Sequence, residues 1–174
     1  MNDSSPSCQK IKVMITLAGG GFSWQSLALV NSLGTQGFEF HYVAPTGATR
    51  RERFASVPAG EIHVVTKVTG MDAQGLTQFL TIIRGAKALF QTFGLVQRVR
   101  PHAVIAIGTS LAIPLFLWSR LFGARTVFVE SITRVSAPSI TGRILSVLRL
   151  CDRFYVQWPE AVPLYRKAIY RGIV

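Results

Sequence analysis

Thr126-Val127-Phe128-Val129-Glu130-Ser131-Ile132-Thr133-Arg134 is the stretch that decides the fold. Branched and apolar residues make a buried strand, and charge arrives only at its end. Phe154-Tyr155-Val156 halts in the same way, in Gln157-Trp158-Pro159-Glu160. Short apolar strands of this kind suit a parallel sheet covered on both faces. In open α/β sheets, ligands bind outside the carboxyl ends of the strands. Glu130, Gln157 and Trp158 therefore stand where the rim of a binding site is expected.

Outward from this stretch, strand and helix patterns alternate. Residues 11–17, 38–43, 62–66 and 103–107 read as strands before it, and 153–156 as one after it. Residues 23–33, 76–99, 111–122, 140–150 and 160–169 read as helices. Gly34 closes the first, and Arg100-Pro101 stops the second. The alternation predicts an α/β class: a Rossmann-like parallel sheet with helices on both faces. Residues 1–10 are polar and read as a flexible tail, leaving 11–174 as a single domain. The uncharged run 103–119 is interrupted by Gly108-Thr109-Ser110 and Pro114. Its helical part is shorter than the about 20 residues of a membrane span.

The chain is 49% hydrophobic, enough for a full core and against disorder. Nineteen basic and eight acidic residues give a net charge of +11, which favours an anionic partner. That partner could be nucleic acid, an anionic membrane face or a phosphorylated ligand. The arginines are dispersed and no nucleic-acid module is present, which weighs against the first. Cys8 and Cys151 form neither a disulfide framework nor a metal spacing, so a reducing compartment fits. Cys151 reads as an apolar filler. His41 and His63 fall inside strands and His102 follows Pro101, with no pair at metal spacing. Structural roles are expected for all three, and no metal. Neither a nucleophile elbow nor paired cysteines occur, so hydrolase and zinc readings lack support.

A parallel sheet gathers its strand-to-helix loops on one edge: residues 19–25, 45–53, 108–110, 130–136 and 157–160. Gly19-Gly20-Gly21 follows the first strand and opens a helix. Such a turn lets backbone approach a ligand, with helix N–H groups facing an anion; a plain tight turn fits equally. Trp24 occupies the place of the third glycine of a dinucleotide fingerprint, and no P-loop lysine follows. Thr109 and Ser110 stand at a helix start, as caps or as ligand contacts. Glu130 reads as a general base, as an orienter of a hydroxyl, or as an ion pair with Arg134. Arg134, with Arg50, Arg51 and Arg53, could hold phosphate oxygens or form a solvated cluster. Trp158 beside Gln157 suits stacking on a sugar or base, or core packing. On the long helix, Phe79, Ile82, Ile83, Ala86, Phe90 and Phe93 recur as an apolar set. Arg84, Lys87, Gln91 and Arg98 form a polar, basic stripe. The helix either packs on the sheet or lies on a membrane surface.

Residues 127–135, Ser139-Ile140-Thr141-Gly142, and 152–160 together resemble the acceptor-side subunits of split glycosyltransferases. That family includes the membrane-recruiting subunit of the eukaryotic enzyme that adds the second N-acetylglucosamine to dolichyl-diphosphate-linked sugar. It also includes bacterial relatives in capsule and exopolysaccharide assembly. The Gly20-Gly21 turn with Gln25, and Gly108 with Pro114, fit it, and the likeness covers nearly the whole chain after Lys10.

The resemblance implies the equivalent of the N-terminal half of a GT-B glycosyltransferase. A donor-binding subunit would supply the other half and most of the nucleotide-sugar site. Transfer from a UDP-sugar to a lipid-diphosphate-linked saccharide is expected, with no cofactor and no metal. The place expected is the cytoplasmic side of an anionic membrane, peripherally: the bacterial inner membrane, or the endoplasmic reticulum in a eukaryote. Glu130 is expected to orient or deprotonate the acceptor hydroxyl. Gly20, Gly21, Gln25, Thr109, Ser110, Ser131, Arg134, Gln157 and Trp158 are expected to hold acceptor or phosphate. Phe22 stands where the family usually has His, and Gln25 where an acidic residue is common. The eukaryotic member's amino-terminal membrane helix is absent. A non-catalytic membrane scaffold and a basic nucleic-acid-binding domain are the alternatives.

Overall fold

A computed structural model describes residues 10–17, 21–47, 58–67 and 76–174; for 21–23 and 76–82 only the backbone is described. Seven strands form one sheet: β1 (Ile11–Thr16), β2 (Phe38–Pro45), β3 (Gly60–Val65), β4 (Ala103–Ile107), β5 (Arg125–Val129), β6 (Arg153–Val156) and β7 (Ala168–Tyr170). Their order is β3-β2-β1-β4-β5-β6-β7, and every pairing is parallel. This is the α/β sheet that the alternation predicts, with one strand more.

Helices cover both faces. α1 (Gly21–Leu33) brings Val30 onto Val13, Ile15, Phe40 and Tyr42. On the other face lie α2 (Leu76–Val99), α3 (Ala112–Leu121) and α4 (Ile140–Val147). There Ala88, Val96, Leu115, Phe116 and Leu145 meet Met14, Val104, Ala106, Phe128 and Phe154. Phe116 and Phe128, both fully buried, meet edge to face at 6.4 Å. Burying each such side chain stabilises the fold by about 1.5–3 kcal/mol.

Two expectations are corrected. Residues 160–169 are not a helix but a 3-10 turn, Pro159–Leu164, followed by β7. Pro163 removes a backbone donor, Tyr165 is extended at φ −134°, and Lys167 turns the chain at φ 60°. On α2, the described part of the apolar set is only partly a packing face: Phe93 meets Trp118 edge to face at 4.9 Å. Ile83, Ala86 and Phe90 are exposed, and Ala88, Thr92, Leu95, Val96 and Val99 are buried. Ile83 and Phe90 sit outside, beside Arg84 and Lys87. Phe79 and Ile82 are known here only as backbone.

Asp152 ties the start of β5 to α3. Its Oδ2 accepts from Thr126 N at 2.8 Å and its Oδ1 from Arg120 at 3.0 Å. Burial pushes its carboxyl up, but the Thr126 N–H, Arg120, the Thr126 hydroxyl and Arg125 outweigh that and hold it below the usual range. Among the described residues no helix is long and apolar enough to cross a membrane.

Candidate functional site

β1 and β4 are neighbours whose chains continue to opposite sides of the sheet, to β2 and to β5. This is the switch point at which α/β sheets open a crevice beyond their carboxyl ends. Gly20 and the loop carrying Arg50, Arg51 and Arg53 lie outside the described residues. Gly21 opens α1. Gln25, one turn later, is 7% exposed, and neither atom of its amide has a hydrogen-bond partner among the described residues. Leaving such a buried group unsatisfied costs about 1–3 kcal/mol.

Across the crevice, Gly108 ends β4 with φ 56°, a backbone conformation that favours glycine. Thr109 Oγ1 accepts from Leu111 N at 3.3 Å, and the Thr109 carbonyl from Ala112 N at 3.2 Å. Thr109 thus closes a turn just before α3, whose N-cap, Leu111, has no side-chain cap bond. Ser110 faces a cavity of about 250 Å³, whose walls also include Gly108, Glu130, Ser131, Thr133, Arg134 and the start of α4.

Glu130 is the hub of this cavity. Its backbone N–H extends the ladder to Tyr155 O at 2.8 Å, so the side chain leaves from the last rung of the sheet. The side chain is buried, 1% exposed. Oε1 accepts from Ser131 N at 2.9 Å. Oε2 accepts from Ser139 Oγ at 2.7 Å and from the Tyr165 hydroxyl. Ser139 Oγ in turn accepts from Gly142 N at 2.9 Å and caps α4. Tyr165 Oη accepts from Ser139 N at 2.8 Å. Gly142 must lack a side chain: a Cβ would lie 2.7 Å from a Tyr165 ring carbon and closer still to Glu130 Oε2. Burial first, then the hydrogen bond and charge of Glu130, push the Tyr165 hydroxyl up to about 12.

This geometry revises several expectations. Among the described residues Glu130 makes no ion pair with Arg134; its partners are two hydroxyls and one amide N–H. Arg134 is exposed at the cavity mouth, beside a loop closed by Thr133 N on Ser131 Oγ at 3.2 Å and Arg134 N on Ser131 O at 3.0 Å. Gln157 and Trp158 brace this loop. Gln157 is 2% exposed; its Nε2 donates to Glu130 O at 2.8 Å and its Oε1 accepts from Val174 N at 3.0 Å. Trp158 Nε1 donates to Ile132 O at 2.6 Å. Their polar atoms are engaged with backbone, and the Trp158 ring is half-buried.

Ser139 and Gly142 carry the family resemblance but no expected site role, and Tyr165 is what sequence reasoning missed. Ser139-x-x-Gly142 before an apolar turn is a readable cap signal; Tyr165, 35 residues from Glu130, carries none. The histidines also correct the sequence reading. His41 and His63 meet across β2 and β3, while His102 stays apart, its Nδ1 accepting from Lys12 N at 3.0 Å. Burial, with His41 and Arg98 adding and Glu61 opposing, lowers the His63 pKa from its ordinary value.

Comparison with known proteins places this architecture. The family model described as "Oligosaccharide biosynthesis protein Alg14 like" matches residues 13–174. A relative named UDP-N-acetylglucosamine transferase subunit ALG14, from Yarrowia lipolytica, is 27% identical over 97% of this chain and 83% of its own length. The human protein of that name is 26% identical, over 94% and 83%. An Acidovorax pyrophosphoryl-undecaprenol N-acetylglucosamine transferase is 27% identical over 92% of this chain but only 39% of its own. Among solved structures, Acinetobacter baumannii MurG superposes with a TM-score of 0.71 at 19% identity, over 94% of this chain and 46% of that one. A Streptomyces glycosyltransferase, SsfS6, gives 0.60 at 14% identity, over 94% and 54%. The structural likenesses establish the fold: the equivalent of the N-terminal half of a GT-B glycosyltransferase. With the family model spanning the sheet from β1 through β7, the chain belongs to the Alg14-like oligosaccharide biosynthesis family.

Proposed function

We propose that this chain is the acceptor-side subunit of a two-chain glycosyltransferase. It moves N-acetylglucosamine from its UDP-sugar to a lipid-diphosphate-linked saccharide, and a partner chain supplies the donor site. One observation carries the reading. The chain is nearly fully matched by relatives named as transferase subunits, yet spans less than half of the single-chain Acidovorax and MurG transferases. Relatives of nearly the same extent that are named as subunits support a partner chain.

In the reaction, an acceptor hydroxyl attacks the donor's anomeric carbon, and the bond to UDP breaks with its electron pair leaving on UDP. The subunit's share is placement. Arg134 at the cavity mouth and the first N–H groups of α4 suit phosphate oxygens. Ser110 lines the cavity, Gly21 and Gln25 stand in the first turns of α1 beyond β1, and the Gln25 amide, without a partner among the described residues, suits a saccharide or phosphate. Glu130 acts in this reading as a positioning residue, not as the base. Its carboxylate is 1% exposed and its oxygens already hold three donors, which leaves little room for an acceptor hydroxyl, and it sets the start of α4 and the Ser131–Arg134 loop. The same sealing favours the scaffold alternative, in which the subunit adds no ligand contact.

Membrane attachment is part of the proposal. Phe90 and Leu121 are 74% and 70% exposed, and the exposed Arg84 and Lys87 share the outer face of α2 with Phe90. Apolar groups among cations suit an anionic bilayer surface, each cation adding about 1 kcal/mol. The cytoplasmic face is the place proposed.

The test is reconstitution of this chain with its donor-binding partner, UDP-N-acetylglucosamine and a lipid-diphosphate acceptor. Transfer should require both chains and fall at least tenfold in Arg134→Ala. Full transfer by the partner alone overturns the reading. Full transfer by the Arg134→Ala and Gln25→Ala forms leaves the scaffold.

A further inference from the structure

β2 and β3 place three ligand-type side chains on one face of the sheet. The register sets His41 opposite Glu61, and Val43 opposite His63. His41 Nδ1 lies 3.2 Å from His63 Nε2, with ring planes 17° apart. Glu61 Oε2 is 3.6 Å from His41 Nδ1, and the three ligand atoms all lie within 4.8 Å of one another. Two nitrogens bound to one tetrahedral zinc at ~2.0–2.1 Å are themselves ~3.3 Å apart. The imidazole nitrogens already stand at that separation.

The surroundings add two features of a metal site. His41 Nε2 is 3.0 Å from Glu39 Oε1, the carboxylate–imidazole pairing that turns the other ring nitrogen toward a metal. Both imidazoles are buried, at 5% and 7% exposure, while Glu61 reaches solvent and offers an entry path. The charge pattern agrees: only eight residues of the chain are acidic, and two of them meet here. Opposing cations are present but can yield. Lys12 is 3.9 Å from Glu39, and Arg98 Nη2 is 3.3 Å from His63 Nδ1. The Arg98 side chain is 68% exposed and free to turn outward.

We propose that His41, His63 and Glu61 form a binding site for a zinc-class divalent cation, with Glu39 orienting His41 and water as fourth ligand. On binding, the proton between the two rings moves to His63 Nδ1, and Arg98 turns away from it. The site is separate from the cavity at Glu130. β1 and β4 lie between β2 and β5, ~14 Å of sheet width. His41 is also level, through Met14 and Val104, with Thr126, four residues before Glu130. The ion clamps the edge strand β3 to β2 and takes no part in transfer.

The full chain is titrated with zinc by calorimetry and with cobalt(II) by visible spectroscopy. His63→Gln and the exposed Glu61→Gln are compared with His102→Gln as a control. Wild type and His102→Gln should bind one equivalent and give the intense visible bands of four-coordinate cobalt. Affinity should fall at least tenfold in Glu61→Gln, whose folding is not at issue, and in His63→Gln if it folds. Zinc should also raise the melting temperature of wild type and not of Glu61→Gln. Equal binding by wild type and Glu61→Gln, or only the weak spectrum of six-coordinate cobalt, overturns the proposal.

Discussion

Replacing Glu130 separates a positioning role from a proton-accepting one. In Glu130→Ala, Ser131 N, Ser139 Oγ and the Tyr165 hydroxyl all lose their acceptor. Hydrogen bonds to a charged group contribute about 1.5–3 kcal/mol each. Two features reduce the sum. Removing the carboxylate also removes the cost of burying its charge, and Ser131 N lies at a cavity wall where water can replace the acceptor. A net loss of about 3 kcal/mol is expected, roughly two of the three bonds. For a chain of this length that is a fall in melting temperature of about 6–12 °C. Glu130→Gln keeps an acceptor for Ser131 N, and its amide can donate to Ser139 Oγ, so about 1–2 kcal/mol is expected. Urea titration and thermal melts give the stabilities, and transfer with the partner chain gives the activity per folded molecule. Positioning predicts that Glu130→Gln stays within about tenfold of wild type, since a general base is worth about 10²–10⁴. A Glu130→Gln form as stable as wild type but slowed by about 10² or more would refute the positioning role and restore the base.

Three further outcomes follow from the same structure. Gln25→Leu removes two buried polar atoms that lack partners among the described residues, so the free chain should gain about 1 kcal/mol in urea titration while the acceptor KM rises. A destabilised free chain would count against it. Asp152 has a folded-state pKa below its ordinary value, so its stabilisation is full above about pH 4 and is lost as pH falls through the folded value. Asp152→Asn should therefore cost about 1–2 kcal/mol at pH 7, with the gap closing in acid. Cys151, whose thiol is pushed up to about 12 by burial with Asp152 adding and Arg120 opposing, should react slowly with a disulfide reagent at pH 8 until the chain is unfolded.

The sheet was legible because its cues are local. Val127-Phe128-Val129 before Glu130 and Ala103 to Ile107 before Gly108 read as strands and are strands. Tertiary context overrode local pattern at two places. Proline and a positive φ at Lys167 turned an expected helix into β7, and the small residues Ala88 and Thr92 took the core face of α2 from Ile83 and Phe90. The site was half legible. Glu130 could be singled out by its place at a strand end, but its burial depends on Tyr165, far along the chain. His41 and His63 look separate because they stand 22 positions apart, and the β2–β3 register brings them together. Gln157 and Trp158 stand at a strand end as the sequence suggests, but the hydrogen bonds that tie them to Glu130, Ile132 and Val174 depend on tertiary placement.

The central claim is that the edge carrying residues 108–112 and 130–142 is the face that meets acceptor and partner. Hydrogen–deuterium exchange of this chain, alone and with its partner and a lipid-diphosphate acceptor, measures that directly. The account predicts slower exchange concentrated in those two segments. Unchanged exchange there, with protection confined to β3 or the outer face of α2, would contradict it.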